Sequence, residues 1–325
     1  MRLRCRCSSK LANPLALAAA AIGTAAAAVT LTRRLLATPA PEDSVVLITG
    51  GSRGLGYAMA SRFARDRAVN LVLAARDFGE LQQAQNSLLE QHPHLRPENF
   101  YLVAADLSKP EDCRRMVSEA FSRFGRIDVL VNNASIIGVG PIEAMTADYF
   151  EHTMRINFLS AMQTTWAALP RLMAQNPAPG WKRRATIVNI SSIGGKVPVP
   201  HMLPYTAAKF AMTGFSEGLY AELKGKGIHV LTVCPGLMRT GGEDHAEFYG
   251  DVEKEAAWFK FFAKTPGIST SVTHAANKIY NAVSLGRNEI TITPQATLAT
   301  RYAGLSPGSL QRLNRLTNDW LLPRA

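Results

Sequence analysis

Tyr205 and Lys209 stand four residues apart in the run Pro204-Tyr205-Thr206-Ala207-Ala208-Lys209, and Ser192 precedes the tyrosine by thirteen residues. On a helix, positions i and i+4 share a face, so this spacing lets an ammonium approach a phenol. A free phenol titrates near ~10 and exchanges protons poorly at neutral pH. A neighbouring cation favours phenolate and lowers that value, which suits general acid/base work on a substrate oxygen. Such a pair also arises by chance on amphipathic helices, so its meaning depends on what else the chain brings to it.

A second stretch supplies the missing half. Thr49-Gly50-Gly51-Ser52-Arg53-Gly54-Leu55-Gly56 follows an apolar run and opens a helical pattern. Glycines let a backbone turn tightly and come close to a pyrophosphate, and the helix that follows presents free N–H groups and the positive end of its dipole. The spacing is G-x-x-x-G-x-G, a variant of the dinucleotide fingerprint. Charge then selects between cofactors, because an acid after the second strand holds the ribose hydroxyls of NAD and a base suits the 2′-phosphate of NADP. Here that strand ends Ala75-Arg76-Asp77. Arg76 and Arg53 are expected to clamp a phosphate, and Asp77 to cap the next helix. NADP is therefore the expected cofactor, with NAD second. No Cys/His cluster has metal-ligand spacing, and no metal is expected.

The elements that must position these residues alternate along the chain. Strands are expected at Ser44–Thr49, Val69–Ala75, Phe100–Ala104, Ile127–Asn132, Ala185–Ile190, Ile228–Val233 and Glu289–Thr293. Helices are expected from about Leu55 to Asp66, Phe78 to Gln91, Glu111 to Phe124, Ala147 to Ala174 with an interruption near Pro170, Pro204 to Lys224, and Val272 to Ser284. Strands that alternate with helices, several of them apolar throughout, mean a parallel sheet covered on both faces. The fold class is α/β, a doubly wound seven-stranded parallel sheet of Rossmann type in a single domain over 44–294.

With the glycine loop, the serine and the Tyr-x-x-x-Lys in this order, the chain resembles the short-chain dehydrogenase/reductase family. Thr49, Gly50, Gly54 and Gly56 match its TGxxxGxG loop, which Ser52, Arg53 and Leu55 complete. Asp106, followed by Leu107, matches the acid that holds the adenine ring. Asn132-Asn133-Ala134 matches its NNAG motif, with Ser135 in place of the last glycine. Asn157 matches the asparagine of the long fourth helix, and Pro235-Gly236 with Thr240 matches the segment along the nicotinamide. Ser192, Tyr205 and Lys209 match its reacting serine, tyrosine and lysine. The resemblance implies that Tyr205 passes the proton, Lys209 lowers its pKa and binds the nicotinamide ribose, Ser192 bonds the substrate oxygen, and Asn157 holds a water that links Lys209 to solvent.

The remaining features bear on substrate and place. Phe248, Tyr249, Trp258, Phe259, Phe261 and Phe262 fall within 241–268 after Thr240, a lid that suits an apolar alcohol or carbonyl compound or simply packs on the sheet. His201, Met202 and Leu203 are expected to touch substrate. A net charge of +11 without a long basic block fits an anionic cofactor or membrane surface and carries no nucleic-acid recognition motif. Cys5, Cys7, Cys113 and Cys234 form no disulfide framework, which fits a reducing compartment.

Residues 1–43 begin with a basic tip, and the segment between Lys10 and Arg33 is uncharged and Ala-rich. That segment is long enough for a membrane anchor and also matches a targeting peptide. The expected location is the cytoplasmic side, on a membrane or free, with organelle targeting as the alternative. Residues 295–325 form an amphipathic tail, more in keeping with a helix on its own domain than with a membrane or partner contact. The expected partners are a hydrophobic small molecule and further copies of the chain, as a dimer or tetramer. The rival to an enzyme is a nucleotide-binding scaffold or sensor of the same fold.

Overall fold

The computed structural model describes residues 37–241 and 245–323. The chain divides into two units, Met1–Thr38 and Pro39–Ala325. The first lies almost wholly outside the described residues, as does the Ala-rich leader. Among the described residues, no helix is long and apolar enough to cross a membrane.

The apolar runs become the strands of one sheet: β1 (Val45–Thr49), β2 (Asn70–Ala75), β3 (Phe100–Ala104), β4 (Val129–Asn132), β5 (Ala185–Ile190), β6 (Ile228–Cys234) and β7 (Glu289–Thr291). All pair in parallel, in the order β7-β6-β5-β4-β1-β2-β3. The strand order reverses between β1 and β4. In open α/β sheets the crevice at the carboxyl edge of such a reversal is where ligands bind.

Side chains alternate along each strand, and both faces are covered. Val46, Ile48, Leu71, Leu73 and Val131 face one cluster; it includes Met59 and Phe63 of helix α1 (Gly54–Ala64), Leu81 and Leu88 of α2 (Phe78–Gln91), and Ile279 of a later helix. Val45, Leu47, Val72 and Leu130 face the other cluster, with Met116 of α3 (Pro110–Phe124). A buried Leu, Ile, Val or Met contributes about 1.5–3 kcal/mol relative to exposure, so this double layer is what fixes the sheet edge in place.

The long fourth helix departs from expectation. It runs as α4 (Ala147–Met154), a π-helical turn (Arg155–Leu159) and α5 (Ser160–Ala174), and it passes straight through Pro170. The carbonyl that Pro170 leaves unbonded belongs to Trp166, an exposed residue, so the helix continues. The interruption falls instead at the π turn, where Ser160 N–H reaches back to the Arg155 carbonyl. Such turns are frequent at functional sites, and this one carries Asn157.

The chain continues through α6 (Leu203–Leu223), α7 (Val252–Lys264) and α8 (Val272–Ser284), which supplies Ile279. It ends in α9 (Pro294–Leu305) and α10 (Pro307–Leu321). The tail helices touch the domain through buried Ala296 and Leu310 and an Asn314 Nδ2 bond to the Pro198 carbonyl of 2.8 Å, while Leu298, Leu305 and Leu316 face outward.

Candidate active site

Tyr205 sits in the first turn of α6, and Lys209 lies one turn on with its Nζ 5.5 Å from the centre of the tyrosine ring. Ser192 follows β5 and caps a single 3-10 turn, its Oγ accepting from Gly194 N–H at 3.0 Å. The same Oγ and the Tyr205 ring both pack against Gly194, so the serine hydroxyl lies beside the phenol. The three residues that the sequence spaces over eighteen positions therefore meet at one point on the carboxyl edge of the sheet.

The electrostatics differ from the expectation in one respect. Burial pushes the Tyr205 phenol above its ordinary value, and the neighbouring Ser192 hydroxyl offsets only part of that rise. Lys209 is buried, and burial lowers its ammonium to about 8. Its Nζ donates to the Ile190 carbonyl at 2.9 Å. Within the protein alone, then, the lysine does not depress the tyrosine, because desolvation of phenolate outweighs a cation that is itself costly to bury.

The lysine's backbone is fixed by groups that the sequence reading missed. Ser191 Oγ donates to the Lys209 carbonyl at 2.9 Å and lies 2.7 Å from Thr213 Oγ1. Beneath it, Asn132 Nδ2 bonds Asn189 Oδ1 (2.8 Å) and Thr165 Oγ1 (3.0 Å), Asn189 Nδ2 bonds Ser216 Oγ (3.0 Å), and Thr232 donates to the same Ser216 oxygen (2.7 Å). This buried chain joins β4, β5 and β6 to α5 and α6. Beyond Asn132, which the family motif had already marked, the polar Asn189 inside the apolar run Ala-Thr-Ile-Val-Asn-Ile was its visible signal.

Asn157 is fully buried, and both ends of its amide grip one residue. Ile136 N–H donates to Oδ1 at 2.8 Å and Nδ2 donates to the Ile136 carbonyl at 2.9 Å. The π turn thus pins the loop that follows Asn133 and Ala134. Ser135, the departure from the family motif, points outward and is exposed.

The glycine loop has the form of a cradle. Gly50 and Gly54 take φ of +65° and +57°, the left-handed region that favours glycine. A Cβ on Gly56 would overlap the Gly50 carbonyl oxygen. Thr49 Oγ1 accepts from the N–H groups of Asn133 (2.9 Å) and Ala134 (3.1 Å), and Asn133 Nδ2 donates to the Thr49 carbonyl at 2.9 Å. Leu55 is buried beneath the loop, and Thr240 lies beside Gly54. Gly236 packs against Thr293, and Pro235 receives the Ile193 N–H on its carbonyl at 2.7 Å.

The charged end is more constrained than expected. Asp77 Oδ1 does cap α2, accepting from Glu80 N–H at 3.0 Å. Glu80 itself, unweighed in the sequence reading, bonds Ser52 Oγ at 2.9 Å and Arg53 Nη1 at 3.0 Å. Arg53 and Arg76 follow β1 and β2, which are adjacent and in register from Val45↔Asn70 to Thr49↔Ala74. Arg76 is exposed, and it helps to hold the Asp106 carboxyl below its ordinary value, although the larger cause is the Ser108 hydroxyl at 2.7 Å. Leu107 turns into the core.

The lid aromatics are split. Phe259 is buried against Val139 and Met202, with Trp258, Phe248 and Tyr205 packed on the same cluster, whereas Phe261 is 63 % exposed.

Comparisons with known proteins identify the family and the fold. A family model described as short chain dehydrogenase matches residues 44–247. An 11-beta-hydroxysteroid dehydrogenase of Pinus massoniana is 38% identical over 203 residues, 61% of this chain and 52% of its own length, so the match spans about half of that relative. A dehydrogenase/reductase SDR family protein 7-like of Anopheles gambiae is 31% identical over 261 residues, 80% of this chain and 78% of its own. Among solved structures, a short chain dehydrogenase/reductase from Burkholderia phymatum in complex with NAD superposes with a TM-score of 0.73 at 23% identity, covering 83% of this chain and 95% of that one, a likeness of fold. With the family model covering more than half of its length, the chain belongs to the short-chain dehydrogenases.

Proposed function

We propose that the protein interconverts an apolar alcohol and its ketone or aldehyde with NADP(H), Tyr205 passing the proton. The observation that carries this reading is the Tyr205 phenol set beside Ser192 against Gly194, with buried Lys209 behind it, at the sheet edge that also bears the glycine cradle. The cradle fits a dinucleotide on its own geometry, since positive-φ glycines and a helix N-terminus open the backbone N–H groups to a pyrophosphate. Thr49, Gly50, Ser52, Arg53, Gly54, Leu55 and Gly56 would hold that group, with Asp106 and Leu107 at the adenine, Asn133 and Ala134 along the middle, and Pro235, Gly236, Thr240, Tyr205 and Lys209 at the nicotinamide end. The cofactor supplies or takes the hydride.

The chain's own residues do the rest. Ser192 orients the substrate oxygen, Tyr205 gives or receives its proton, and Lys209 places a positive charge behind the phenol. Asn157, locked to Ile136, holds the loop after Ala134 and is the residue to carry a water toward Lys209. Reduction needs the protonated phenol and oxidation the phenolate, so reduction falls and oxidation rises with pH.

Arg53 and Arg76 at adjacent strand ends, with Asp77 spent on capping, favour NADP over NAD. Replacing Arg76 by Asp is expected to weaken NADPH binding about tenfold or more, the worth of a charge-assisted bond, and to improve NADH relative to it. Unchanged preference in nucleotide titrations would remove the phosphate clamp from this account.

The wall of Val139, Met202, Trp258 and Phe259 beside Tyr205 supports an apolar substrate, as does the steroid dehydrogenase named among the relatives. Outward-facing Leu159, Trp166 and Phe210 on the π turn, α5 and α6 support self-association. The experiment that tests the activity is carbonyl-dependent consumption of NADPH by the full chain.

A further inference from the structure

A buried acid–histidine pair lies outside the machinery above and joins the lid to the segment that carries Tyr205. His201 is 9% and Glu255 1% exposed, and His201 Nδ1 stands 2.6 Å from Glu255 Oε1. His201 has φ of +60°, the left-handed region, which histidine tolerates better than most side chains. That conformation is held at both ends. The His201 carbonyl accepts from Gly140 N–H at 2.8 Å, and the ring is held by Glu255.

Glu255 belongs to the first turns of α7, whose N-terminus Asp251 caps through Lys254 N–H at 3.2 Å. The approach to α7 is stitched to the site by a parallel ladder of Gly138–Val139 with Glu247–Phe248. Farther along, α7 lays Phe259 and Trp258 on the cluster that includes Met202 and Tyr205. The pair therefore pins the lid helix to the chain four residues ahead of the reacting tyrosine.

A polar pin has a property that an apolar contact lacks. Glu255 Oε2 is buried without a hydrogen-bond partner. A half-satisfied carboxylate is expensive in a low-dielectric site, and burial raises its pKa against the opposing pull of His201. Lifting the lid would let water reach both groups and repair that deficit, which lowers the cost of opening. The directional bond meanwhile fixes one closed register.

We propose that His201 and Glu255 are positioning residues forming a releasable latch, which closes α7 over the apolar wall beside Tyr205 and lets it lift to admit substrate and release product. The substrate arm rests on the oxidoreductase reading above; the latch itself rests on the pair.

Hydrogen–deuterium exchange of the full chain tests it. Glu255→Ala should speed exchange across residues 252–264 about tenfold, a local opening that leaves β4 and β5 unchanged, while Glu255→Gln, which keeps an acceptor for Nδ1, should stay near wild type. With a bulky apolar carbonyl, Glu255→Ala should raise KM about tenfold with a smaller change in kcat. Exchange in α7 that is unmoved by Glu255→Ala, or that rises equally through the sheet, overturns the latch. If no carbonyl is turned over, the exchange data still decide the latch and only the oxidoreductase reading fails.

Discussion

Replacing Tyr205 by phenylalanine is expected to lower carbonyl reduction by about 10²–10⁴-fold, the usual worth of a positioned general acid. The ring packs beside Gly194 and on the lid cluster, and phenylalanine keeps that packing, so folding and nucleotide affinity should hold near wild type. What is lost is the hydroxyl beside Ser192. Wild-type reduction should decline as pH rises through about 8, the value to which burial brings Lys209, because the cation behind the phenol is then lost. Turnover that survives in the variant would mean that another group moves the proton.

Gly56→Ala should be the most damaging single methyl in the nucleotide cradle. The new Cβ would overlap the Gly50 carbonyl oxygen and stand 2.9 Å from Asn133 Nδ2. Both neighbours are committed, since Asn133 Nδ2 ties the loop to β4 through the Thr49 and Gly50 carbonyls. The loop must therefore move, at about 1–3 kcal/mol of overpacking, and its N–H groups leave the positions that a pyrophosphate needs. Nucleotide affinity should fall about tenfold to a hundredfold, by the conversion of about 1.4 kcal/mol per factor of ten. Gly214→Ala on α6 is the control, because nothing lies within 4 Å of its Cβ and alanine favours a helix. If Gly56→Ala binds NADPH like wild type, the loop does not hold the pyrophosphate.

Most of the framework was legible because it follows from periodicity. Apolar runs such as Val45–Thr49 and Ala185–Ile190 have the length of a strand buried on two faces. Phe78–Gln91 has an acidic cap ahead of it and helical spacing within. The cofactor loop and the Tyr205–Lys209 turn were legible because each is local.

What escaped depends on residues far apart in the chain. Nothing near Pro170 says that its unbonded carbonyl belongs to an exposed residue, and nothing near Asn157 announces a π turn. Glu80 looks like an ordinary first-turn acid until the fold sets it against Ser52 and Arg53, 28 and 27 positions away. The ladder of Gly138–Val139 with Glu247–Phe248 is too short to leave any periodic trace. The tyrosine's pKa was misjudged for a related reason: the spacing gives the lysine's proximity, whereas burial, a property of the whole fold, sets the sign.

The central claim is that the site turns over a carbonyl or alcohol and does more than bind a nucleotide. The direct measurement is steady-state oxidation of NADPH by the full chain against a panel of apolar ketones and aldehydes, with NADH in parallel. Carbonyl-dependent oxidation that is faster with NADPH is the expected result. Tight NADPH binding with no consumption by any carbonyl, and no reduction of NADP by the matching alcohols, would contradict it and leave a nucleotide-binding scaffold in its place.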